Sequence, residues 1–125
     1  MRGPALFVFV IYYQRRSFVT ENSQRATSNF RVVVEYRLRE ETADEVLDHL
    51  AQLAEASRNE PANLGYEYFR NVENPLHVSI LEMYIDEAGF EAHRTSSHFT
   101  SIGTAKILPL LADRVVRTYS DEGDR

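Results

Sequence analysis

The sequence predicts an α+β fold whose elements follow the order β-α-β-β-α-β. Short apolar runs with the alternation of β-strands recur within residues 30–119, and two stretches between them show the apolar spacing of helices. The strand-like runs also carry large apolar side chains at both parities. We therefore expect both faces of the predicted sheet to be covered.

The first predicted strand spans residues 30–38 and has three consecutive valines at its centre. The next helix is predicted to start at a capping box, in which Thr42 caps the amide of Glu45 and Glu45 reaches back. Pro61 limits this helix to about Arg58, because the residue before a proline disfavours helical backbone. Its apolar face consists of Val46, Leu47, Leu50, Leu53, Ala54 and Ser57.

Three further strands are predicted at residues 64–70, 77–84 and 114–119, and residues 71–75 form a turn between the first two. Side chains alternate between the faces of a strand, so every second residue points the same way. One face of the strand at residues 77–84 carries Val78, Ile80, Glu82 and Tyr84.

The helical region before the last strand is divided in two. Asp86 is predicted to cap a short helix that runs through His93. Ser96 or Ser97 is predicted to cap a second helix, whose apolar residues are Phe99, Ile102, Leu108 and Leu111. The complete order of elements is that of ferredoxin-like folds.

The composition is that of one globular domain with a single core: 125 residues, 43% hydrophobic and 26% charged. The chain has no cysteine, which excludes disulfides, thiolate metal sites and a thiol nucleophile and fits a reducing, cytoplasmic location. The net charge is -5 and no basic stripe is visible, so we expect no nucleic-acid partner.

Residues 1–29 are predicted to be an extension outside the fold. They carry four arginines and one glutamate in a chain that is acidic as a whole. The apolar run at residues 5–13 is shorter than the roughly 20 residues of a membrane helix, so we expect no membrane partner. A signal peptide and an extra strand are the alternatives for this segment. Residues 120–125 are predicted to be a charged tail.

His93 and His98 are the first candidates for chemistry, since imidazole exchanges a proton near neutral pH. We predict that His93 is a base facing a cavity and that His98 assists it. A histidine bonded at a helix end, or a capping role for His98, is the structural alternative. Glu82 is predicted either to orient a histidine or to pair with an arginine, because a buried carboxylate needs a partner.

Four other side chains are candidates for binding a substrate. Tyr66 and Tyr84 can donate hydrogen bonds to a phenolic compound, although aromatic residues on strands more often belong to the core. Ile80 and Phe99 complete this set.

Arg58 and Glu60, by contrast, are interpreted as structural, and His77 is predicted to be exposed at the start of a strand. No metal site is predicted, because two histidines five residues apart do not share a helical face and no carboxylate completes a ligand set. No glycine-rich loop supports a flavin or a nicotinamide.

Three segments of the chain resemble the antibiotic biosynthesis monooxygenase family, whose members form dimeric α/β barrels and include small quinol monooxygenases. They are residues 57–61 with 64–67, residues 81–84, and residues 91–93 with 98–99. The resemblance covers about residues 30–119. The chain departs from the family at Ala62, where glycine is usual, and at Tyr84, where tryptophan is frequent. Alanine tolerates a positive φ poorly, so the first departure is expected to alter a turn.

The resemblance implies a cofactor-independent monooxygenase that acts on a quinol or an anthrone with molecular oxygen. Haem is not expected, because the haem-degrading relatives rely on a tryptophan and this chain has none. The alternatives are a non-catalytic dimer that binds a small aromatic ligand and an isomerase of a small dicarbonyl compound. The fold alone does not choose among them.

A homodimer is predicted from the apolar character of both sheet faces, because the helices cover only one of them. The two sheets are expected to face each other across an interface of about 2,000 Å² or more in total. The pocket is expected inside each subunit, between the sheet and residues 93–99, and residues 1–29 are expected to be dispensable.

Overall fold

The computed structural model describes residues 29–120. The predictions for residues 1–28 and 121–125 lie outside the described residues. The fold is ferredoxin-like α+β, as predicted, with one four-stranded antiparallel sheet and a layer of helical elements. No helix among the described residues is long and apolar enough to cross a membrane.

The sheet has the strand order β2-β3-β1-β4, in which β1 is Phe30–Leu38, β2 is Asn63–Arg70, β3 is His77–Tyr84 and β4 is Leu111–Ser120. The predicted bounds of β1 and β3 are confirmed, and those of β2 are short by one residue. The prediction for β4 began three residues too late. Alternating apolar residues and β-branched side chains make these segments strands, and the central strands β1 and β3 are the most buried.

The first helix, α1, spans Ala43–Arg58 and ends where Pro61 predicts. The predicted capping box is wrong, because the Thr42 side chain makes no cap. Its Oγ1 instead donates to the Leu110 carbonyl oxygen, 3.0 Å away. A tertiary partner therefore replaces the local one, and a short 3₁₀ turn, Glu40–Thr42, leads into α1.

The second helix, α2, spans Glu87–Arg94, and its predicted cap is confirmed: Asp86 Oδ1 accepts from the Gly89 amide at 2.9 Å. The predicted helix after it takes a rarer form. Phe99–Ile107 is a π-helix and Leu108–Leu110 a 3₁₀ turn. Leu111, predicted in that helix, is the first residue of β4.

Two separate apolar clusters occupy the two faces of the sheet. On the helix side, the even-numbered residues of β1 and β3 pack with α1 and the π-helix around Leu50, Leu53 and Ile107. On the opposite side, called the far face here, Leu81 and Met83 form a second cluster with the partly buried Val33 and Leu64. None of the described helices contributes to this second cluster.

Candidate functional site

A carboxylate holds two histidines together at the end of α1. Glu60 Oε2 lies 2.8 Å from His93 Nδ1 and 2.5 Å from His98 Nε2. The side chains of His93 and Glu60 are only 1% and 12% exposed, whereas that of His98 is 22% exposed. We call Glu60, His93 and His98 the Glu60 cluster; it meets solvent mainly through His98.

The position of Glu60 follows from the turn that ends α1. The Glu60 amide donates to the Ser57 carbonyl oxygen at 3.0 Å, and the Asn63 amide donates to the Glu60 carbonyl oxygen at 3.1 Å. Arg58 Nε donates to the Tyr66 carbonyl oxygen at 2.9 Å and ties this turn to β2. The structural role predicted for Arg58 is thus seen, whereas Glu60 stands at the centre of the site.

One serine holds the two histidines in place across the helix break. The Ser96 hydroxyl donates to the His93 carbonyl oxygen at 2.7 Å and accepts from the Phe99 amide at 3.1 Å. It therefore links the end of α2, which carries His93, to the first residue of the π-helix, next to His98. The predicted contact of Ser96 with the second helical segment is present, although the π-helix itself has His98 at its N-cap and no side-chain cap.

A second carboxylate lies behind His93. Glu82 Oε1 accepts from the Tyr84 hydroxyl at 2.7 Å and lies 3.8 Å from His93 Nε2. Burial raises the pKa of the Glu82 carboxyl, and the His93 ring and the Tyr84 hydrogen bond act in the opposite direction. Of the two predictions for Glu82, the contact with a histidine is the one present; its nearest partners are Tyr84 and His93.

Aromatic rings from the sheet and from the helical elements surround His93. Ring centroids lie 5.1 Å from His93 for Phe99 and between 5.6 and 6.2 Å for Tyr84, Tyr66 and Phe90. Burial raises the pKa of Tyr66 and of Tyr84 far above the ordinary value, and Glu82 adds to both shifts. Both phenols therefore stay protonated at neutral pH, and Tyr84 donates its proton to Glu82.

Packed side chains occupy the place where the sequence predicts a cavity. Tyr66, Tyr84 and Ile80 are 2%, 0% and 1% exposed and belong to the core. His93 is equally buried, so it faces these rings and not an open space. The volume expected between the sheet and residues 93–99 is filled by aromatic rings, because His93 and the tyrosines pack against one another.

The cavity at the Glu60 cluster lies away from these aromatic rings, between α1 and α2. It has a volume of about 620 Å³. Alanine, glycine and proline make up much of its wall, and polar groups enter it mainly at the Glu60 cluster. Its lining residues are Ala56, Asn59, Glu60, Pro61, Ala62, Gly89, Ala92, Ser96 and His98.

Ala62 and Gly89 meet at the wall of this cavity. A Cβ atom placed on Gly89 would lie 2.7 Å from Ala62 Cβ, closer than van der Waals contact allows. Ala62 itself causes no backbone strain, since no described residue has a positive φ. The turn at Ala62 therefore does not use the positive φ that alanine tolerates poorly. The effect of Ala62 is steric: α2 packs so closely against it that a residue without a Cβ atom, Gly89, is needed at the contact.

The other histidines lie outside the Glu60 cluster. His77, predicted to be exposed, is half-buried, with Nε2 2.6 Å from Glu35 Oε1. His49 Nε2 lies 3.4 Å from Glu45 Oε2, one helical turn away on α1. Neither has a second imidazole beside its glutamate.

The model of one protein family, antibiotic biosynthesis monooxygenase, matches residues 29–104. The chain belongs to the antibiotic biosynthesis monooxygenase family. Membership supports a general monooxygenase-like role, and proteins of this family are typically small oligomers. No match is found among curated proteins.

Solved structures give the same fold. One antibiotic biosynthesis monooxygenase is 27% identical, with a TM-score of 0.68 over 72% of this chain and 95% of that one. A protein from Bacteroides thetaiotaomicron VPI-5482 named for the same family is 28% identical, with a TM-score of 0.66 over 70% and 84%. A conserved protein from Methanosarcina mazei Go1 is 24% identical, with a TM-score of 0.71 over 78% and 96%. This last likeness concerns the fold alone.

Proposed function

We propose that the protein is a small cofactor-independent monooxygenase that oxidises an electron-rich aromatic, of the quinol or anthrone type, with molecular oxygen. The observation that carries the proposal is the Glu60 cluster, in which a carboxylate holds two imidazoles and one of these lines a cavity. This arrangement suits the removal of a proton, which is the step that makes such an aromatic a good electron donor.

His98 is the residue that touches the substrate in this proposal. With a proton on Nε2, its ring donates to Glu60 Oε2 at 2.5 Å, and Nδ1 remains as the acceptor for a substrate proton. Glu60 then stabilises the imidazolium that forms. Within the described residues, His98 Nδ1 has no hydrogen-bond partner of its own.

In this proposal His93 and Glu82 do not contact the substrate but hold Glu60 in position. His93 contacts the same oxygen of Glu60 from the buried side, and Glu82 lies against the other nitrogen of that ring. His93, first predicted to be the base, is therefore proposed as a positioning residue. The aromatic groups predicted for substrate binding, Tyr66, Tyr84 and Phe99, fix the orientation of the His93 ring. Ile80 remains a core residue.

The reaction needs no external reductant, because the substrate supplies the electrons. His98 takes a proton from the substrate, and the resulting anion passes one electron to dioxygen. Superoxide and the substrate radical then combine into a carbon–oxygen bond. Cleavage of the oxygen–oxygen bond releases one oxygen atom as water and leaves a carbonyl group. In an anthrone, a CH₂ group and O₂ thus become C=O and H₂O.

The size and wall of the cavity support a flat, mostly apolar substrate. Its volume of about 620 Å³ is in the range of cavities that bind small molecules. Small side chains such as Ala56, Ala62 and Ala92 form much of its wall, and His98 with Glu60 provides the polar end. A substrate with a phenolic hydroxyl can direct that group at His98 while its rings lie against the alanines.

The test is oxygen uptake with a panel of quinols and an anthrone, followed by product analysis. We expect His98→Ala to lower turnover by about 100-fold or more, the usual contribution of a positioned base. His77→Ala removes another half-buried histidine beside a glutamate and serves as the matched control at the wild-type rate. Equal rates for the two variants would exclude His98 as the base. A ligand recovered unchanged from the wild-type protein in air would instead favour the binding protein.

We also propose a homodimer in which the far faces of two sheets meet. The far face carries exposed apolar side chains in addition to its buried cluster: Phe69 and Val115 are 38% exposed and Tyr119 is 46% exposed. Strand alternation places all three on the same face as Leu81. Charged side chains of both signs, such as Glu35 and Arg117, also lie on this face near β4. In a dimer, each would pair with a side chain of opposite charge on the second copy.

Analytical ultracentrifugation of the full-length protein tests this assembly. We expect a dimer at micromolar concentration and dissociation by Phe69→Asp combined with Val115→Asp. Val72→Asp is the control, since Val72 is 98% exposed on the turn between β2 and β3 and should leave the dimer intact. A wild-type protein that sediments as a folded monomer would rule out the dimer.

A further inference from the structure

The Glu60 cluster also has the composition of a metal site. Glu60, His93 and His98 each offer one ligand atom, and these atoms lie within 4.8 Å of one another. Among the described residues this is the one group of three or more such side chains that could hold an ion. Two imidazole nitrogens and a carboxylate oxygen are a ligand set that divalent transition metals prefer, whereas Mg²⁺ and Ca²⁺ prefer oxygen alone.

Hydrogen bonds within the cluster leave one of its oxygen atoms unused. Both histidines contact Glu60 Oε2, while Glu60 Oε1 is buried and has no hydrogen-bond partner among residues 29–120. A buried carboxylate oxygen without a partner is costly, so a cluster built only for hydrogen bonding would be expected to satisfy it. A cation beside the carboxylate would balance its negative charge and give the unpaired oxygen atom a partner.

The surroundings of His93 match those of a metal ligand. Histidines that bind a metal through one ring nitrogen usually point the other at a carboxylate, which fixes the tautomer. His93 Nε2 faces Glu82 Oε1 at 3.8 Å, and Tyr84 holds that oxygen in place at 2.7 Å. A proton on Nε2 would face Glu82 and leave Nδ1 free to coordinate an ion.

The cluster also has a route of entry and room for a further ligand. Glu60 and His98 line the cavity between α1 and α2, whereas His93 closes the cluster from the core. Three protein ligands with one open position are typical of catalytic zinc and non-haem iron sites. The open position here would face the cavity.

We propose that Glu60, His93 and His98 form a binding site for one divalent first-row transition-metal ion, with its open coordination position toward the cavity. This inference goes beyond the oxygenase reaction above, which uses the cluster without a metal. An ion and a substrate proton would compete for the same cluster. Binding is therefore measured without substrate, and its outcome is independent of that of the oxygenase assay.

The experiment is a titration of the full-length, metal-free protein with Zn²⁺ in competition with a chromophoric chelator. We expect one ion per chain, no displacement by millimolar Mg²⁺, and the same affinity in His77→Ala. His98→Ala and Glu60→Gln should each weaken binding by more than about 100-fold, beyond the roughly 10–100-fold that follows loss of an outer partner. Circular dichroism melts of each variant establish that it is folded.

Cobalt provides a second measurement that needs no variant. Co²⁺ bound to the wild-type protein should show visible absorption bands of low coordination number, and added Zn²⁺ should remove them. The proposal is overturned if the wild-type protein binds neither ion. It is equally overturned if all four proteins bind Zn²⁺ alike, or if His77→Ala is the variant that loses it.

Discussion

Two glutamates in this protein bind histidines at nearly the same distance, one on each face of the sheet. Glu60 lies 2.5 Å from His98 on the helix side, and Glu35 lies 2.6 Å from His77 on the far face. Their surroundings differ. Glu60 is 12% exposed and has a second, buried imidazole at 2.8 Å. Glu35 is 26% exposed, and the hydroxyl of Ser79 is its other partner, at 2.7 Å.

The cavities beside these two glutamates differ as well. The cavity at Glu35 has a volume of about 250 Å³, and charged side chains of both signs, including Arg37, Asp113 and Arg117, line it. The cavity at Glu60 is larger and mostly apolar. A short contact between histidine and glutamate is therefore not enough to identify a site. A second imidazole, burial and an apolar cavity separate the Glu60 cluster from the Glu35 pair.

The two sites are expected to differ most in how much stability a neighbouring hydroxyl contributes to each. Tyr84 donates to Glu82 at 2.7 Å in the core behind the Glu60 cluster, and Ser79 donates to Glu35 at the same distance in a partly buried place. Tyr84→Phe should lower the free energy of unfolding by about 2 kcal/mol, since a buried acceptor loses its donor. Ser79→Ala should cost below about 0.5 kcal/mol. Urea denaturation measures both, and equal losses would show that burial does not distinguish the two faces.

A smaller effect is expected at alkaline pH from a buried tyrosine on the helix side of the sheet. Burial raises the pKa of Tyr36, on the helix side, to about 12 from 10.0. Above pH 10 the unfolded chain ionises this phenol before the folded protein does. Its stabilising contribution is therefore complete below pH 10 and is lost as the pH rises through 12.

The loss between pH 9 and pH 11 should be about 1 kcal/mol, and Tyr36→Phe should remove that part of the decline. Urea denaturation at the two pH values is the measurement. An unchanged decline in Tyr36→Phe would contradict the role given to its burial.

Local patterns predicted most of the fold but only part of the site. The strands and α1 follow from alternation and from apolar spacing, which depend on neighbouring residues. The cap of α1 did not follow, because Thr42 binds Leu110, 68 residues away. The π-helical form of Phe99–Ile107 has no local pattern that distinguishes it from an α-helix.

Glu60 was not predicted as a site residue, because its partners are also distant in the sequence. It is 33 residues from His93 and 38 from His98, so no spacing rule connects them. The histidines were found because imidazole exchanges a proton near neutral pH, a property of the residue that needs no spacing rule. The one signal that could have identified Glu60 was its place beside Pro61 in a segment that resembles the family. Because the sequence pattern was interpreted as structural for Arg58 and Glu60 together, Glu60 was not included among the site residues.

The central claim is that the Glu60 cluster, and not the Glu35 pair, receives the aromatic substrate. Nuclear magnetic resonance of the full-length protein labelled with ¹⁵N-histidine tests it directly, with 1,4-naphthoquinol added in the absence of oxygen. We predict that the ring nitrogens of His98 shift most, that those of His93 follow, and that those of His49 and His77 stay in place. Shifts confined to His77, with His98 unmoved at saturating quinol, would contradict the account.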